Sequence, residues 1–239
     1  MRPILQRALL ALVLLVTLGA ISGCKPSPCP TRGWAPDHCV EYGEFPLKDK
    51  TLYIPNKSPN KYRWQGSLKV NKTNGAVEGP NLGVYWKTGA PAGGDVWPES
   101  KPDLIRFLLS FNPRNPAATN LNTRAKTLRL KPLDVALPFS PPPGLQLTTS
   151  WRFEDLVVKY PEQMQLIFVE SNETGDTTML IYCPPLADGN YKKENTFCSG
   201  VFYAQPGLQV EMHLRADAVK DWREITNFIR VLVKSWEKK

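Results

Sequence analysis

This sequence predicts an α+β fold, in which one or more antiparallel β-sheets carry a C-terminal amphipathic helix packed on the sheet. Two stretches near the C-terminus make the case. In Leu208-Gln209-Val210-Glu211-Met212-His213-Leu214-Arg215 apolar and polar residues alternate, the period of a strand with one buried face. From Val219 onward, Val219, Trp222, Ile225, Phe228, Ile229, Leu232, Val233 and Trp236 recur at spacings of three and four, which is one stripe along a helix.

The chain starts with a different kind of signal. Arg2 and Arg7 precede the apolar run Ala8 to Val16, which breaks up at Thr17, Gly19 and Ser22 and ends at Ile21-Ser22-Gly23-Cys24. The run is shorter than the roughly 20 residues a membrane span needs, so residues 1–23 read as a cleaved secretory signal. A branched aliphatic and two small residues before a cysteine resemble a lipobox, which predicts lipid on Cys24 and tethering of the mature protein to a membrane. Lys25, with no Asp in that place, resembles the sorting signal of enterobacterial lipoproteins bound for the outer membrane and facing the periplasm. Residues 24–50, rich in Pro, Lys and Gly, read as a tether, and residues 51–239 as one β-rich domain, with any subdivision near residues 138–150.

Strands are predicted at Thr51 to Ile54, Tyr62 to Val70 and Leu82 to Trp86, with turns at Asn74-Gly75 and Gly93-Gly94. The run Leu104 to Phe111 fits a strand or a buried helix and is read as strand. Asn112 to Lys131, polar and basic, and the proline cluster Leu137 to Gly144 are predicted to be exposed loops or edges. Four strands then follow at Gln165 to Ser171, Thr177 to Cys183, Thr196 to Ala204 and Leu208 to Leu214, and His213 falls on the polar face of the last. The terminal helix has a capping-box spacing at Asp221 and Glu224, with Asp217 as an alternative start.

With Cys24 lipidated, Cys29, Cys39, Cys183 and Cys198 remain, an even number suited to an oxidising compartment. Three pairings are possible. Short links make neighbouring strands antiparallel, which brings the end of one strand at Cys183 beside the start of the next near Cys198. That favours Cys183 with Cys198 and, by the same locality, Cys29 with Cys39. No cysteine pair has zinc-knuckle spacing, and His38 and His213 are the only histidines, so no metal or cofactor is expected.

No catalytic constellation stands out, and an enzyme is not expected. Ser58-Pro59-Asn60-Lys61 has Ser-x-x-Lys spacing, but in a stretch that reads as a turn, and its companion motif occurs only as Lys87-Thr88-Gly89 before a glycine-proline loop. Glu154 and Asp155 could serve as paired acids only at a separation that sequence does not supply. Loss of Arg2 and Arg7 from thirty basic residues leaves a mature charge of +6 against twenty-two acidic ones, too modest to suggest a nucleic-acid partner in the periplasm.

Charge is nonetheless unevenly placed. Lys101 to Asp134 holds seven basic residues, whereas Trp151 to Gly200 holds eight acidic residues against four basic, with Glu170, Glu173 and Asp176 around one turn. That turn is either a solvated surface or a recognition loop. The lipobox, the small stapled sheet and the terminal helix from Asp221-Trp222-Arg223-Glu224-Ile225 to Arg230-Val231-Leu232-Val233-Lys234-Ser235-Trp236 together resemble the periplasmic immunity lipoproteins of type VI secretion systems, most closely those paired with lipase effectors. The resemblance implies inhibition of a cognate toxin. Partner contacts are then expected at Glu170, Asn172, Glu173 and Asp176, and at Asp188, Tyr191, Lys192, Lys193 and Glu194 in the loop Pro184 to Phe197. A structural or assembly lipoprotein of an envelope machine would have the same tether and sheet.

Overall fold

Residues 42–56, 62–65, 68–92, 101–113, 121–132, 141–149, 166–183 and 197–237 are described by a computed structural model of the chain. Cys24, Cys29, Cys39, Ser58, Lys61, Glu154, Asp155 and the loop residues Asp188, Tyr191, Lys192, Lys193 and Glu194 lie outside them. Among the described residues no helix is long and apolar enough to cross a membrane.

The first strand, β1 (Tyr42–Pro46), lies inside the stretch predicted to be tether and pairs antiparallel with β2 (Thr51–Pro55). Phe45 is the reason: it is fully buried, but polar and turn-forming neighbours mask it in the sequence. Its ring passes so close to Gly79 that a Cβ there would lie 2.9 Å away.

The main sheet has eleven strands, all paired antiparallel. They are β3 (Arg63–Gln65), β4 (Lys69–Val70), β5 (Val77–Tyr85), β6 (Ala90–Pro91), β7 (Leu104–Phe111), β8 (Lys131–Pro132), β9 (Gln146–Thr149), β10 (Leu166–Ser171), β11 (Thr177–Cys183), β12 (Phe197–Gln205) and β13 (Leu208–Arg215). Their order across the sheet is β3-β5-β7-β13-β12-β11-β10-β9-β8, with β4 and β6 also on β5. The ambiguous run Leu104 to Phe111 is a strand. It sits between β5 and β13 with Ile105, Phe107, Leu109 and Phe111 buried on one face and Leu104, Arg106, Leu108 and Ser110, all but Leu104 half-buried, on the other, so leucines on the second face blur the alternation.

One face of the sheet carries the main core. Phe107, Leu109, Met179, Ile181, Phe202, Val210, Met212 and Leu214 meet Trp222, Ile225, Ile229, Val233 and Trp236 of the terminal helix, α2 (Trp222–Ser235). Gly200 in β12 admits the Met212 side chain, whose Cε would be 2.6 Å from a Cβ at that position. The helix starts three residues later than its apolar stripe suggests, because a 3₁₀ segment spans Ala216–Asp221.

That segment also corrects the expected cap. Asp221 makes no side-chain capping bond, and the Trp222 N–H is already satisfied by the Val219 carbonyl. Asp217 turns instead to Arg215, a two-pronged ion pair at 2.9 and 2.7 Å.

The opposite face has a smaller core of Leu121, Ile167, Val169, Leu180 and Val201. Leu121 belongs to α1 (Leu121–Leu128), a helix lying within the stretch predicted to be loop. Leu121, Ala125 and Leu128 have helical spacing, but three small or aliphatic residues among basic and polar ones left the stripe too thin to read. The proline cluster is likewise not wholly exposed. Pro142 is buried, and the Trp222 indole N–H donates to the Pro143 carbonyl at 3.2 Å.

Candidate functional site

The acidic turn between β10 and β11 forms as expected, with Gly175 at φ +81°. Its polar side chains largely serve the turn. The Asn172 Oδ1 accepts from the Thr174 N–H (3.1 Å), the Thr174 hydroxyl (2.7 Å) and the Asp176 N–H (2.8 Å). Asp176 accepts from the Thr174 hydroxyl (3.0 Å) and from the Asn122 amide, and the Thr177 N–H donates to Asn122 Oδ1. Glu170 accepts from the Thr178 hydroxyl at 2.7 Å. Asn122 thus ties the start of α1 to the turn, while Glu173 is exposed at its tip.

The loop Pro184 to Phe197 leaves the sheet elsewhere. Cys183 ends β11 and Cys198 lies in the first turn of pairing of β12, joined by a disulfide with their Cα atoms 4.3 Å apart, as the antiparallel links predict. The acidic turn is attached at the start of β11 and the loop at its end. Seven residues of extended chain put these attachments roughly 20 Å apart, so the two halves of the expected contact region do not share an origin.

Beside the end of β11, strand register gathers a row of polar residues that sequence reasoning did not single out. Cross-strand pairing aligns Arg106 of β7 with His213 of β13, His213 with Ser199 of β12, and Ser199 with Tyr182 of β11. One step along, Glu211 lies between Leu108 and Val201. On β7 and β13 the residues of this face, Arg106, Leu108, Ser110, Gln209 and Glu211, are half-buried and His213 is exposed, whereas their alternate neighbours are buried. Helix α1 borders the row, with the Arg124 guanidinium 5.0 Å from the centre of the Tyr182 ring. The available signal was the alternation itself, which placed His213 on a polar face but did not say which residues of other strands stood beside it.

The Ser199 hydroxyl lies 3.2 Å from His213 Nδ1. Ser199 is flanked by β11 on one side and β13 on the other, so the backbone N–H groups around it are committed to the two ladders. An acyl-transfer site needs N–H donors aimed at a developing oxyanion, and this position has none to spare. The pair reads as a hydrogen-bonded surface element. Burial pushes the Tyr182 phenol up from its ordinary value, opposed by the neighbouring Arg124, so it stays neutral and can donate a hydrogen bond.

Although the His213 residue is exposed, its neighbours partly desolvate the ring and lower its pKa below the ordinary 6.5, Glu211 opposes this, and Arg106 adds to it. The folded state therefore prefers the neutral ring. Between the folded value and 6.5 the unfolded chain binds more protons, so this contribution is complete above pH 6.5 and is lost as the pH falls through the folded value. In urea titrations at pH 7.5 and 5.0, wild type should lose more stability on acidification than His213→Gln. Equal losses would show that the ring does not contribute.

A cleft of about 580 Å³ opens at the end of the sheet that carries the acidic turn, lined by Leu47 to Lys50, Phe111 to Pro113 and Gln205 to Gly207. Lys50 spans its edge, donating to Gln205 Oε1 (2.9 Å) and pairing with Glu237 (2.7 Å). Among the described residues no cluster of three or more His, Cys, Asp or Glu side chains could hold a metal ion.

No protein-family model matches the chain, and no curated protein matches it in sequence. The fold is similar to that of Smlt3025, an immunity protein of the Stenotrophomonas maltophilia type IV secretion system. The TM-score is 0.54 at 14% sequence identity, and the match covers 88% of this chain and 100% of that one.

Proposed function

We propose that this chain is an immunity lipoprotein that binds and inhibits a cognate secreted toxin, held by lipid on Cys24 at the outer membrane and facing the periplasm. The observation that carries the reading is a fold similar to that of an immunity protein along that protein's whole length, and the resemblance of Ile21-Ser22-Gly23-Cys24 to a lipobox supports the anchor. An inhibitor needs a surface of roughly 800 Å² and a few anchors, and a wide antiparallel sheet provides rigid ground for both. The resemblance in sequence points to a type VI effector of lipase type, whereas the similar fold belongs to a protein of a type IV system. The identity of the toxin therefore decides between delivery routes.

The test is neutralisation. A periplasm-directed effector encoded beside this gene is expressed with wild type or Cys24→Ser, and the purified Cys24→Ser chain is mixed with the effector at equal concentration. Restored growth and loss of effector activity on mixing are the expected results. Capture of envelope-machine components without any effect on the effector would replace inhibition with an assembly role.

A further inference from the structure

We infer that the cleft between Lys50, the end of β12 and the last two turns of α2 takes an acidic side chain of the toxin. The inference rests on the immunity reading and deepens it by naming the surface and the chemistry of its partner.

This second cleft holds about 340 Å³ and shares Lys50 and Gln205 with the larger one. Its lining includes three cations, Lys50, Arg230 and Lys234, against one carboxylate, Glu237. Lys50 pairs with Glu237 at 2.7 Å, so these two charges cancel and those of Arg230 and Lys234 remain. The two stand four residues apart on α2, a spacing that puts them on one side of the helix.

Neither cation is spent on the helix end. The carbonyls of Leu232, Val233 and Lys234 accept from the Ser235 hydroxyl and from the Trp236 and Glu237 N–H groups. The exposed Lys234 ammonium has no ion-pair partner among the described residues. Arg230 is ordered in advance: its Nε–H donates to the Tyr203 carbonyl at 3.3 Å, and its guanidinium lies 5.2 Å from the centre of the Phe202 ring. These contacts use Nε and one face of the group and leave its two terminal nitrogens. Burial disfavours the charge of Arg230. Glu170 opposes this, but it does not line the cleft and its carboxylate also accepts from the Thr178 hydroxyl. A partly desolvated guanidinium gains from a carboxylate that meets it with two parallel hydrogen bonds.

The cleft is open to a partner. Val231, in its lining, is 62% exposed, the most of any large apolar side chain among the described residues. An exposed aliphatic beside two cations suits a toxin segment that sets an acidic residue next to an apolar one. Anionic lipid would offer phosphate to the same donors, but attraction to a membrane takes a cluster of about four to eight cations. Two in a cleft of this size suit a single carboxylate.

The experiment measures the affinity of the full chain, as Cys24→Ser, for the effector that it neutralises. Lys234→Glu should raise Kd at least tenfold and flatten its rise with salt between about 0.05 and 0.5 M. Arg230→Lys, which keeps the charge and loses the two-pronged geometry, should raise it several-fold. Lys126→Glu, the same change of charge at an exposed position of α1, should leave Kd within threefold of wild type. Thermal midpoints within about 2 °C of wild type certify that the variants are folded. A smaller rise in Lys234→Glu overturns the inference, as does an equal rise in Lys126→Glu, which would make the effect one of net charge. Vesicles of phosphatidylethanolamine and phosphatidylglycerol should bind wild type and Lys234→Glu alike. Loss of vesicle binding with an unchanged Kd for the effector would give the cleft to lipid phosphate instead. Neutralisation by wild type and Lys234→Glu alike removes the inference alone, whereas a wild-type chain that neutralises no effector overturns the immunity reading and the inference with it.

Discussion

Trp236→Ala should lower stability by about 3–5 kcal/mol, the range for removing a large buried aromatic. The indole is almost fully buried where the terminal helix ends. It stacks on Phe107 (centroids 6.3 Å apart, planes within 10°) and meets Tyr62 edge-on at 5.3 Å. The same residue joins two parts of the fold. Its carbonyl accepts the Tyr53 N–H at 2.8 Å, Leu52 forms a β-bridge with Glu237, and Lys50 pairs with Glu237. Since β1 and β2 form a sheet of their own, these links and the packing of Phe45 attach that hairpin to the domain. The loss should therefore appear first as faster amide exchange in Tyr42–Pro46 and Thr51–Pro55, and then as a lower urea midpoint at an unchanged slope. Exposed Lys234→Ala is the control, with a change within about 0.5 kcal/mol. A midpoint for Trp236→Ala equal to that of the control would mean that the hairpin is held by its own core residues, Phe45, Leu52 and Ile54, without the indole.

What could be read in the sequence followed from how much of each element's pattern its burial demanded. Strand β13 is buried on one face and alternates accordingly, and α2 lies on the sheet along one stripe, so both were legible to within three residues. Strand β1 was hidden because two inward positions, one of them glycine, leave Phe45 to carry the pattern. Helix α1 was hidden because it buries little more than Leu121. Expectations for the binding region were shaped by sequence proximity. Glu170 to Asp176 are close in the chain and acidic, which drew attention to them, yet the turn uses much of that polarity itself. The row Arg106, His213, Ser199 and Tyr182 is assembled from four strands spanning more than a hundred residues. Each contributes one unremarkable polar residue, and only strand register brings them together.

The disulfide is the one expected link between distant positions that local geometry sufficed to identify, and its removal should have the second large effect. Cys183 and Cys198 are 15 residues apart in sequence, and both are fully buried. Closing a loop of that length removes chain entropy from the unfolded state worth about 3 kcal/mol. Cys183→Ala with Cys198→Ala should therefore lower stability by about that amount, and by more for the double serine variant, whose hydroxyls would be buried in an apolar core. The distinction matters because it separates two causes. The unfolded chain regains the same entropy in both variants, whereas the cost of burying a hydroxyl falls only on serine. Urea titration of both, with and without reductant for wild type, gives the comparison. Reduced wild type should resemble the alanine variant. If reduction leaves the midpoint unchanged, the strand pairing between β11 and β12 already restricts the unfolded loop, and the disulfide contributes little beyond packing.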